Sequence, residues 1–519
     1  MLWIALHLPL LSLESFAATF YGAADAVPLA LLDAQRIVHA NPAAQALGVK
    51  PGLKRATALA LAPHLVLGQA DLRRDAQALT AVAHVALAFT PSVTLQLPED
   101  RMAAAQTVLL EVQKSLRYFG GFDALLLRLH QALAGLRHRI HCVDAPTALG
   151  AALLARIHPQ LHCPDLAALH ARLDVAPVWL LGPGREHWDA LQGMGLRTLA
   201  DLRYLPRAAI ARRFSATLLG ELDRARGDSP DPREAIVLPD RFESRIELFA
   251  RADTTEQVLQ GANVLLARLV AWLAAQHAQV RRFTLRLCHE TRARGAVPAT
   301  ALNIALAEPS RDPAHLLVLL RERLARLPLS APTFELHLSA DEIAHRAPPN
   351  QELFPTPGSE AEGLVRLVER LQARLGNEQV RRLVLVHDHR PERGSPVQAA
   401  QAAQAVQAGA GVSVKSASKP AARAAAKIDS NPRLAPRPVW LLCEPQPLPE
   451  RQSRPWFEGR ALQLLSGPER IEAGWWDAGL TERDYFIAQA ADGALLWVYR
   501  ARLPLSAQAP GWFLQGRFA

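Results

Sequence analysis

The sequence predicts a multidomain protein, α/β in its first part and α+β in its middle, closed by a small β-rich C-terminal domain. Three observations carry this expectation. The chain has 519 residues, more than one core usually holds. Half of them are hydrophobic and 21% are charged, so most of the chain can bury a core and general disorder is excluded. Six of the ten tryptophans (Trp440, Trp456, Trp475, Trp476, Trp497, Trp512) fall in the last 82 residues. With strand-like Trp497-Val498-Tyr499, that density marks a separate β-rich unit.

Taken in order, Leu2 to Leu8 reads as a buried first strand. A secretory signal wants Lys or Arg ahead of its apolar run; none is present, and Pro9 and Glu14 interrupt the run. Pro28 to Val38 predicts a strand pair and Pro42 to Leu47 a short helix. Asp71–Phe89 predicts a longer helix, with Leu72, Ala76, Leu79, Val82 and Ala83 at helical spacing. Val108–Val112 is a strand and Phe122–Leu136 an amphipathic helix. From Pro177 to about Pro232 the pattern is wholly helical. Between Arg241 and Leu338 it runs strand, helix, strand, strand, helix, strand, with helices at Thr255–Gln276 and Pro313–Leu327 and strands including Phe283–Cys288 and Thr333–Leu338. That order predicts a split βαβ module. Between Pro391 and Pro438 the composition collapses into Ala, Gln, Ser, Gly, Pro and Lys. Seven basic residues there face only Glu392 and Asp429, which predicts a flexible basic tether.

No stretch approaches 18 uninterrupted apolar residues, so an integral helical membrane protein is not expected. Four scattered cysteines (Cys142, Cys163, Cys288, Cys443) supply neither a disulfide scaffold nor a four-thiolate zinc site. A reducing, cytoplasmic setting is the simpler expectation. The net charge of +9 and pI near 9.8 favour a polyanionic partner, modestly for this length. Six lysines leave 52 arginines, which reflects either GC-rich coding or arginine chosen for phosphate forks. Gly-rich phosphate loops, HExxH and GxSxG are all missing, so the common NTPase, metalloprotease and hydrolase readings lack support. His387-Asp388-His389 and His158…His162-Cys163 offer no second spaced ligand pair and read as structural, so neither a metal nor a cofactor is expected.

Two local patterns point to nucleic acid. In Trp188 to Leu202, a helix is followed by Gly193-Met194-Gly195-Leu196-Arg197 and a second helix capped by Thr198, a helix-hairpin-helix pattern. Its glycines allow close backbone approach to a phosphate, and the second helix is expected to present free N–H groups. The competing reading is an ordinary helical turn that uses glycine for packing. Arg281, Arg282 and Arg286, with Arg292 and Arg294 beyond and Glu290 opposing, bracket the Phe283–Cys288 strand. Arg282 and Arg286 share one face by period two. They form either a phosphate-tracking edge or a strand edge protected by charge.

The order of pieces over the first 345 residues resembles a Y-family (translesion) DNA polymerase. Val49-Lys50-Pro51-Gly52-Leu53, Leu61-Ala62-Pro63 and Leu116-Arg117-Tyr118-Phe119-Gly120-Gly121 are similar to segments of that family. Ser466-Gly467-Pro468-Glu469-Arg470-Ile471-Glu472-Ala473-Gly474-Trp475-Trp476-Asp477, Arg483-Asp484-Tyr485 and Trp512-Phe513-Leu514-Gln515-Gly516-Arg517-Phe518-Ala519 look like the C-terminal region of its ImuB-type branch, the polymerase-like component of a bacterial mutagenesis cassette. The resemblance implies a palm at 1–175 with fingers inserted at about 25–72, a helix-hairpin-helix thumb at 176–238 and a little finger at 239–345. It further implies a clamp-binding-like peptide and small α/β extension at 346–390, a linker at 391–437 and a C-terminal interaction domain at 438–519.

The departures decide what the resemblance implies about mechanism. Two-metal nucleotidyl transfer needs carboxylates that hold both ions. Y-family enzymes place one on the first strand and an Asp-Glu pair before a later strand. Here the first position falls near Leu6 to Leu8, with no acid between Met1 and Leu13, and the pair falls near Gln106 and Thr107. Neutral side chains do not replace the charge that Mg²⁺ requires. The triphosphate-binding Tyr and Arg of the fingers align with Pro42 and Gln45, and a palm Lys with about Ala148. A pseudo-polymerase is therefore expected. The alternative is an active translesion polymerase whose metal site is rebuilt from Glu14, Asp25, Asp33 or Glu111. Asn350-Gln351-Glu352-Leu353-Phe354 resembles a sliding-clamp-binding peptide, in which a Leu-Phe pair enters an apolar groove and Gln makes polar contacts. Gln351 lies three residues before Phe354 rather than the usual four, and Asn350 fills the usual slot; the competing reading tucks Leu353 and Phe354 against the little finger. The implied partners are DNA, the sliding clamp, an ImuA-type RecA-like protein and an error-prone replicative-type DNA polymerase, with no membrane. A stand-alone DNA-binding module is the third reading.

Overall fold

The computed structural model describes the chain except residues 21–26, 97–104, 183–186, 291–297, 330, 346–356, 385, 387, 395, 401–435, 478, 503–510 and 519. It divides into two compact units, Met1–Arg374 and Leu375–Ala519.

In the first unit, β1 (Trp3–His7) is the central strand of a five-stranded sheet. Residues 3–6 are apolar, so both faces of β1 can be buried. Ile4 and Leu6 join one core cluster, and Ala5 joins the cluster on the opposite face. The chain then builds a small sheet from β2 (Leu29–Asp33), β3 (Arg36–Ala40) and β4 (Val66–Gln69), in the order β3-β2-β4. Asn41 ties it to the helix Pro42–Ala46: its Oδ1 accepts from the backbone N–H groups of Leu29 and Ala44, both at 2.9 Å. The large sheet is completed by β5 (Val93–Gln96), β6 (Thr107–Glu111), β7 (His141–Ala145) and β8 (Gln160–His162), in the order β5-β6-β1-β7-β8. Helices Leu72–Leu87 and Phe122–Ala134 supply side chains to one face, and Ala148–Ala155 to the other. Among the described residues, five α-helices follow the palm-like sheet: Leu166–Asp174, Trp188–Gly193, Leu199–Arg203, Arg207–Phe214 and Ala216–Arg226.

Strands β9 (Glu243–Ala252), β10 (Gln279–His289), β11 (Ala299–Ser310) and β12 (Thr333–Ala344) form an antiparallel sheet ordered β11-β10-β12-β9. Strand β12 lies between β9 and β10, the split arrangement expected from the element order. Phe283, Leu285 and Leu287 of β10 are buried against the helices Thr255–Ala275 and Pro313–Leu324. Among the described residues, Thr255–Ala275 is the one helix long and apolar enough to cross a membrane. Its Val258, Leu265, Leu269, Trp272 and Leu273 instead fill the core of this module, and Trp272 Nε1 donates to the Pro239 carbonyl at 2.9 Å. Arg268 of the same helix is buried and donates to Gln77 Oε1 at 3.0 Å and Ser244 Oγ at 3.1 Å. Burial pushes the Arg268 guanidinium down to about 10. The helix Pro357–Leu375 adds Val365 and Ala373 to the buried residues, and its Glu369 accepts from the backbone N–H of Ala307 at 2.5 Å.

In the second unit, β13 (Arg381–Leu383) pairs with β14 (Val397–Ala399). Beyond residue 435 come β15 (Trp440–Leu448), the meander β16 (Glu450–Arg451), β17 (Arg454–Phe457) and β18 (Arg460–Ala461), and then β19 (Gln463–Ala473), β20 (Thr481–Gln489), β21 (Leu495–Ala501) and β22 (Trp512–Arg517). The main sheet is ordered β15-β22-β21-β20-β19, the β-rich C-terminal unit that the tryptophans predicted. Trp497 and Trp512 are core residues, and Tyr485 stacks on Trp497 with ring centroids 4.2 Å apart. Trp440, Trp475 and Trp476 are exposed.

The tether expected from Pro391 is corrected at its start. Pro391–Gly394 is a helical turn and Val397–Ala399 a strand, held by partners far along the chain that local composition does not reveal. Arg390, with 2% of its side chain exposed, lies 2.7 Å from both Asp388 Oδ2 and Asp477 Oδ2 and also donates to the Gly479 carbonyl. Glu392 accepts from Gln515 Nε2 at 3.0 Å and pairs with Arg483. Ala400 and Pro436, the residues flanking 401–435, thus belong to the same unit. Hydrogen bonds from Arg390 hold the Asp388 carboxyl down to about 2, and Asp477 is lowered for the same reason. A depressed carboxylate contributes stability above its ordinary value of 3.8 and loses it as pH falls through the folded value. Trp476, whose ring lies 5.7 Å from the Arg390 guanidinium, should report that loss in its fluorescence between pH 4 and 2. At neutral pH, Arg390→Met should speed tryptic cleavage after Arg393 by about tenfold, since it strands two carboxylates.

Candidate functional site

Strand pairing brings together the positions at which the Y-family resemblance expects metal-binding acids. β1 runs antiparallel to β6 and to β7, with His7 opposite both Thr107 and His141. His7 Nδ1 lies 2.9 Å from Thr107 Oγ1, and the N–H of Leu8 donates to the Gln106 carbonyl at 2.8 Å. His7 and Thr107 are buried. His141 Nδ1 donates to the Ala155 carbonyl at 2.8 Å, and its ring centroid is 5.9 Å from that of His7. Burial, then the neighbouring His141 and Arg156, push His7 down to about 4, so the ring is neutral at pH 7. The end of β1 therefore carries a neutral hydrogen-bonded pair where the implied chemistry needs two or three negative charges.

The acids that could rebuild such a site are dispersed. Glu14 accepts from the backbone N–H of Arg139 and lies 3.3 Å from His138 Nδ1. Glu111 is opposite Trp3, at the far end of β1 from His7, about 13 Å along the strand. Asp33 ends β2 and is exposed, and Asp25 lies outside the described residues. The three triphosphate-side positions are neutral too: Ala148 is buried, Gln45 donates to the Ala40 carbonyl, and Pro42 opens a helix. A cleft of about 550 Å³ lies nearby, lined by Glu14, Asn41, Pro42, His138, Arg139 and Arg268, but not by His7 or Thr107. Among the described residues of this unit four acids are buried, Asp75, Asp144, Glu221 and Glu369, and none was singled out in the sequence. Asp144 on β7 lies 2.5 Å from His162 Nδ1, and burial pushes its carboxyl up. Asp75 accepts from Ser12 and Ser15. A polar residue at an inward helical position, as Asp75 is beside Leu79 and Val82, was the available signal.

The hairpin around Met194 has the expected shape and a different hydrogen-bond inventory. Gly195 sits at φ +82°, the left-handed conformation that suits glycine. Thr198 caps the helix Leu199–Arg203 in a capping box with Asp201. The expectation of free N–H groups is corrected for most of them. Those of Arg197 and Thr198 donate to Asp201 Oδ2 at 2.9 and 2.8 Å, and those of Met194, Gly195, Leu196 and Leu199 go to backbone carbonyls. These hydrogen bonds hold the Asp201 carboxyl below its usual range. Gly193 ends the first helix, Leu196 is buried, and Met194 and Arg197 are exposed. Arg197 is the exposed basic side chain of this hairpin.

On the little-finger-like sheet, Arg281, Arg282 and Arg286 are all exposed. A register irregularity at Val280–Phe283 turns both Arg281 and Arg282 outward, and each lies 3.6 Å from a Glu342 oxygen. Arg286 projects between Ala301 and His337 of the neighbouring strands and borders a groove that also includes Arg245 and Thr284. Arg292, Arg294 and the clamp-like residues Gln351, Leu353 and Phe354 lie outside the described residues, as does His387. Asp388 binds Arg390 and His162 pairs with Asp144, so both act structurally.

No family model matches this chain. Protein ImuB of Caulobacter vibrioides (strain NA1000 / CB15N) is 27% identical over 484 residues, covering 91% of this chain and 100% of that protein. Protein ImuB of Caulobacter vibrioides strain ATCC 19089 / CIP 103742 / CB 15 gives the same figures. The ImuB-type resemblance thus runs along nearly the whole sequence. Among solved structures, a Dbh ternary complex (16% identity, TM-score 0.36) and DinB from Sulfolobus solfataricus (15%, 0.37) each cover 66% of this chain and 99% and 98% of their own.

His7 gives a direct check. An unfolded histidine titrates near 6.5 and accepts a proton that the folded site refuses, so stability is complete above pH 6.5 and declines as pH falls toward 4. An imidazole NMR titration should place the His7 midpoint near 4; a midpoint at its ordinary value would mean the ring is solvated.

Proposed function

We propose that this chain is a polymerase-like, DNA-binding protein of DNA-damage tolerance that does not join nucleotides itself, and that it holds primer-template DNA and a sliding clamp for a partner polymerase in the cytoplasm. The observation that carries this reading is the neutral His7–Thr107 pair at the end of β1. In-line phosphoryl transfer needs charge to hold two divalent ions against attacking and leaving oxygens. An imidazole held neutral, a threonine hydroxyl and an amide supply none. The scatter of Glu14, Asp33 and Glu111 weighs against the alternative of a displaced site.

DNA binding in this reading falls to side chains more than to the hairpin backbone. Arg197 would reach phosphate from the thumb, and Arg282 and Arg286 from the sheet, giving salt-dependent affinity with little base preference. The Leu353-Phe354 pair would enter the clamp groove. The second unit would bind the RecA-like and polymerase partners that the ImuB resemblance implies. Exposed Trp475 and Trp476, next to the Arg390–Asp477 clasp, suit that role because large aromatics on a rigid base make strong interface anchors.

The deciding experiment is primer extension by highly purified full-length protein with Mg²⁺ and then Mn²⁺, on undamaged and abasic templates. The expected result is no incorporation at stoichiometric protein with primer-template demonstrably bound. Incorporation that co-purifies with the chain and falls on Glu111→Gln or Asp33→Asn would overturn the reading. For the clamp, Leu353→Ala with Phe354→Ala should weaken binding at least tenfold, and unchanged affinity would reject the peptide.

A further inference from the structure

The little-finger-like sheet carries a cluster that the proposed DNA-binding role does not use. Cys288 on β10 is the direct cross-strand partner of Glu335 on β12. His337 follows two residues later, on the same face as Glu335. Ligand atoms of the three lie within 4.8 Å of one another, and all three residues are half-buried. Directly opposed residues on antiparallel strands, with an i+2 neighbour, are held by the ladder at about the spacing one small ion spans.

The polar inventory around the cluster is incomplete in a telling way. His337 Nε2 is covered from solvent and has no hydrogen-bond partner, although it lies 3.0 Å from Glu335 Oε2. A ring nitrogen and a carboxylate oxygen that approach so closely without hydrogen-bond alignment suit two donors aimed at a third body. Neighbouring His289 is the contrast: its Nε2 lies 2.7 Å from Thr300 Oγ1 and its Nδ1 3.1 Å from Thr333 Oγ1, so both ring nitrogens are satisfied. Glu247 of β9 is the other cross-strand partner of Glu335, and Arg245 lies 3.9 Å from Glu335, half-exposed and beyond hydrogen-bond range. Arg245 can swing away without leaving a buried gap.

We propose that Cys288, Glu335 and His337 form a binding site for a borderline-soft divalent cation, Zn²⁺ by the chemistry of its donors. One thiolate, one imidazole and one carboxylate are the donors zinc accepts in mixed sites, and the thiolate excludes Mg²⁺ and Ca²⁺ as preferred occupants. Three ligands on one face of a sheet leave the outward coordination position open. The ion would pin β10 to β12 beside Arg286, the cross-strand partner of His337.

The test uses metal-free, full-length protein and Co²⁺ as a spectroscopic stand-in for Zn²⁺. The expected result is a thiolate-to-cobalt charge-transfer band that saturates at about one equivalent and is displaced by Zn²⁺. Cys288→Ser should abolish the band, and His337→Gln should weaken Co²⁺ binding at least tenfold. Cys443→Ser, which alters the exposed cysteine of the other unit, should leave it unchanged. Circular dichroism of each variant establishes that it folds. As a second readout, Zn²⁺ should raise the melting temperature of the wild type but not of folded Cys288→Ser. No band in the wild type, a band that survives Cys288→Ser, or full affinity in His337→Gln would overturn the site and leave an ordinary histidine–carboxylate pair.

Discussion

The first unit depends on the register of one strand. β1 is buried on both faces and bonded on both edges, so a slip of one residue would carry Ile4 and Leu6 into the space filled by Ala5 and strand His7 in an apolar cluster. That constraint explains why His7, Thr107 and His141 meet, although they are 100 and 34 residues from one another along the chain. It also explains why the site tolerates a histidine. At the end of the strand the ring finds a hydroxyl partner, and burial holds it neutral instead of leaving an uncompensated charge in the sheet.

A buried sheet end without clustered carboxylates carries a lighter physical burden. Clustered carboxylates repel and need cations or donors to remain ionised. A neutral His–Thr pair has no such requirement, so the palm-like sheet holds together whether or not a divalent ion is present. In the proposed reading the fold would serve as a rigid platform, with its remaining chemistry on the arginines of β10 and on the second unit. Long-range ion pairs do comparable work there: Arg390 and Glu392 join a segment before residue 401 to Asp477 and Arg483.

Much of the architecture was legible from local signals. The apolar run of residues 2–6, the helical spacing of Leu72 to Ala83 and the strand-helix order between Arg241 and Leu338 each report burial on a known period. Nearest-neighbour geometry dictates such patterns. The candidate site was legible as an absence, because an acid missing between Met1 and Leu13 needs no structure to be seen. The hairpin shows the boundary of such reading. Gly195 and Thr198 announce the turn and the cap, yet nothing local says that Asp201 would take the N–H groups a phosphate needs.

Composition misled where partners are distant. The stretch from Pro391 reads as linker because it is short of large apolar residues, but buried ion pairs rather than apolar packing order its first residues. Cys288, Glu335 and His337 likewise form no sequence motif, since strand pairing rather than spacing makes them neighbours. The sequence by itself determined the order of strands and helices, the absence of acids at the two positions the resemblance picks out and the β-rich end, because periodicity and residue type act locally. Only the tertiary structure decided which donors meet which acceptors. Pairing across a sheet and capture of a distant charge depend on register and fold, which no single stretch of chain encodes.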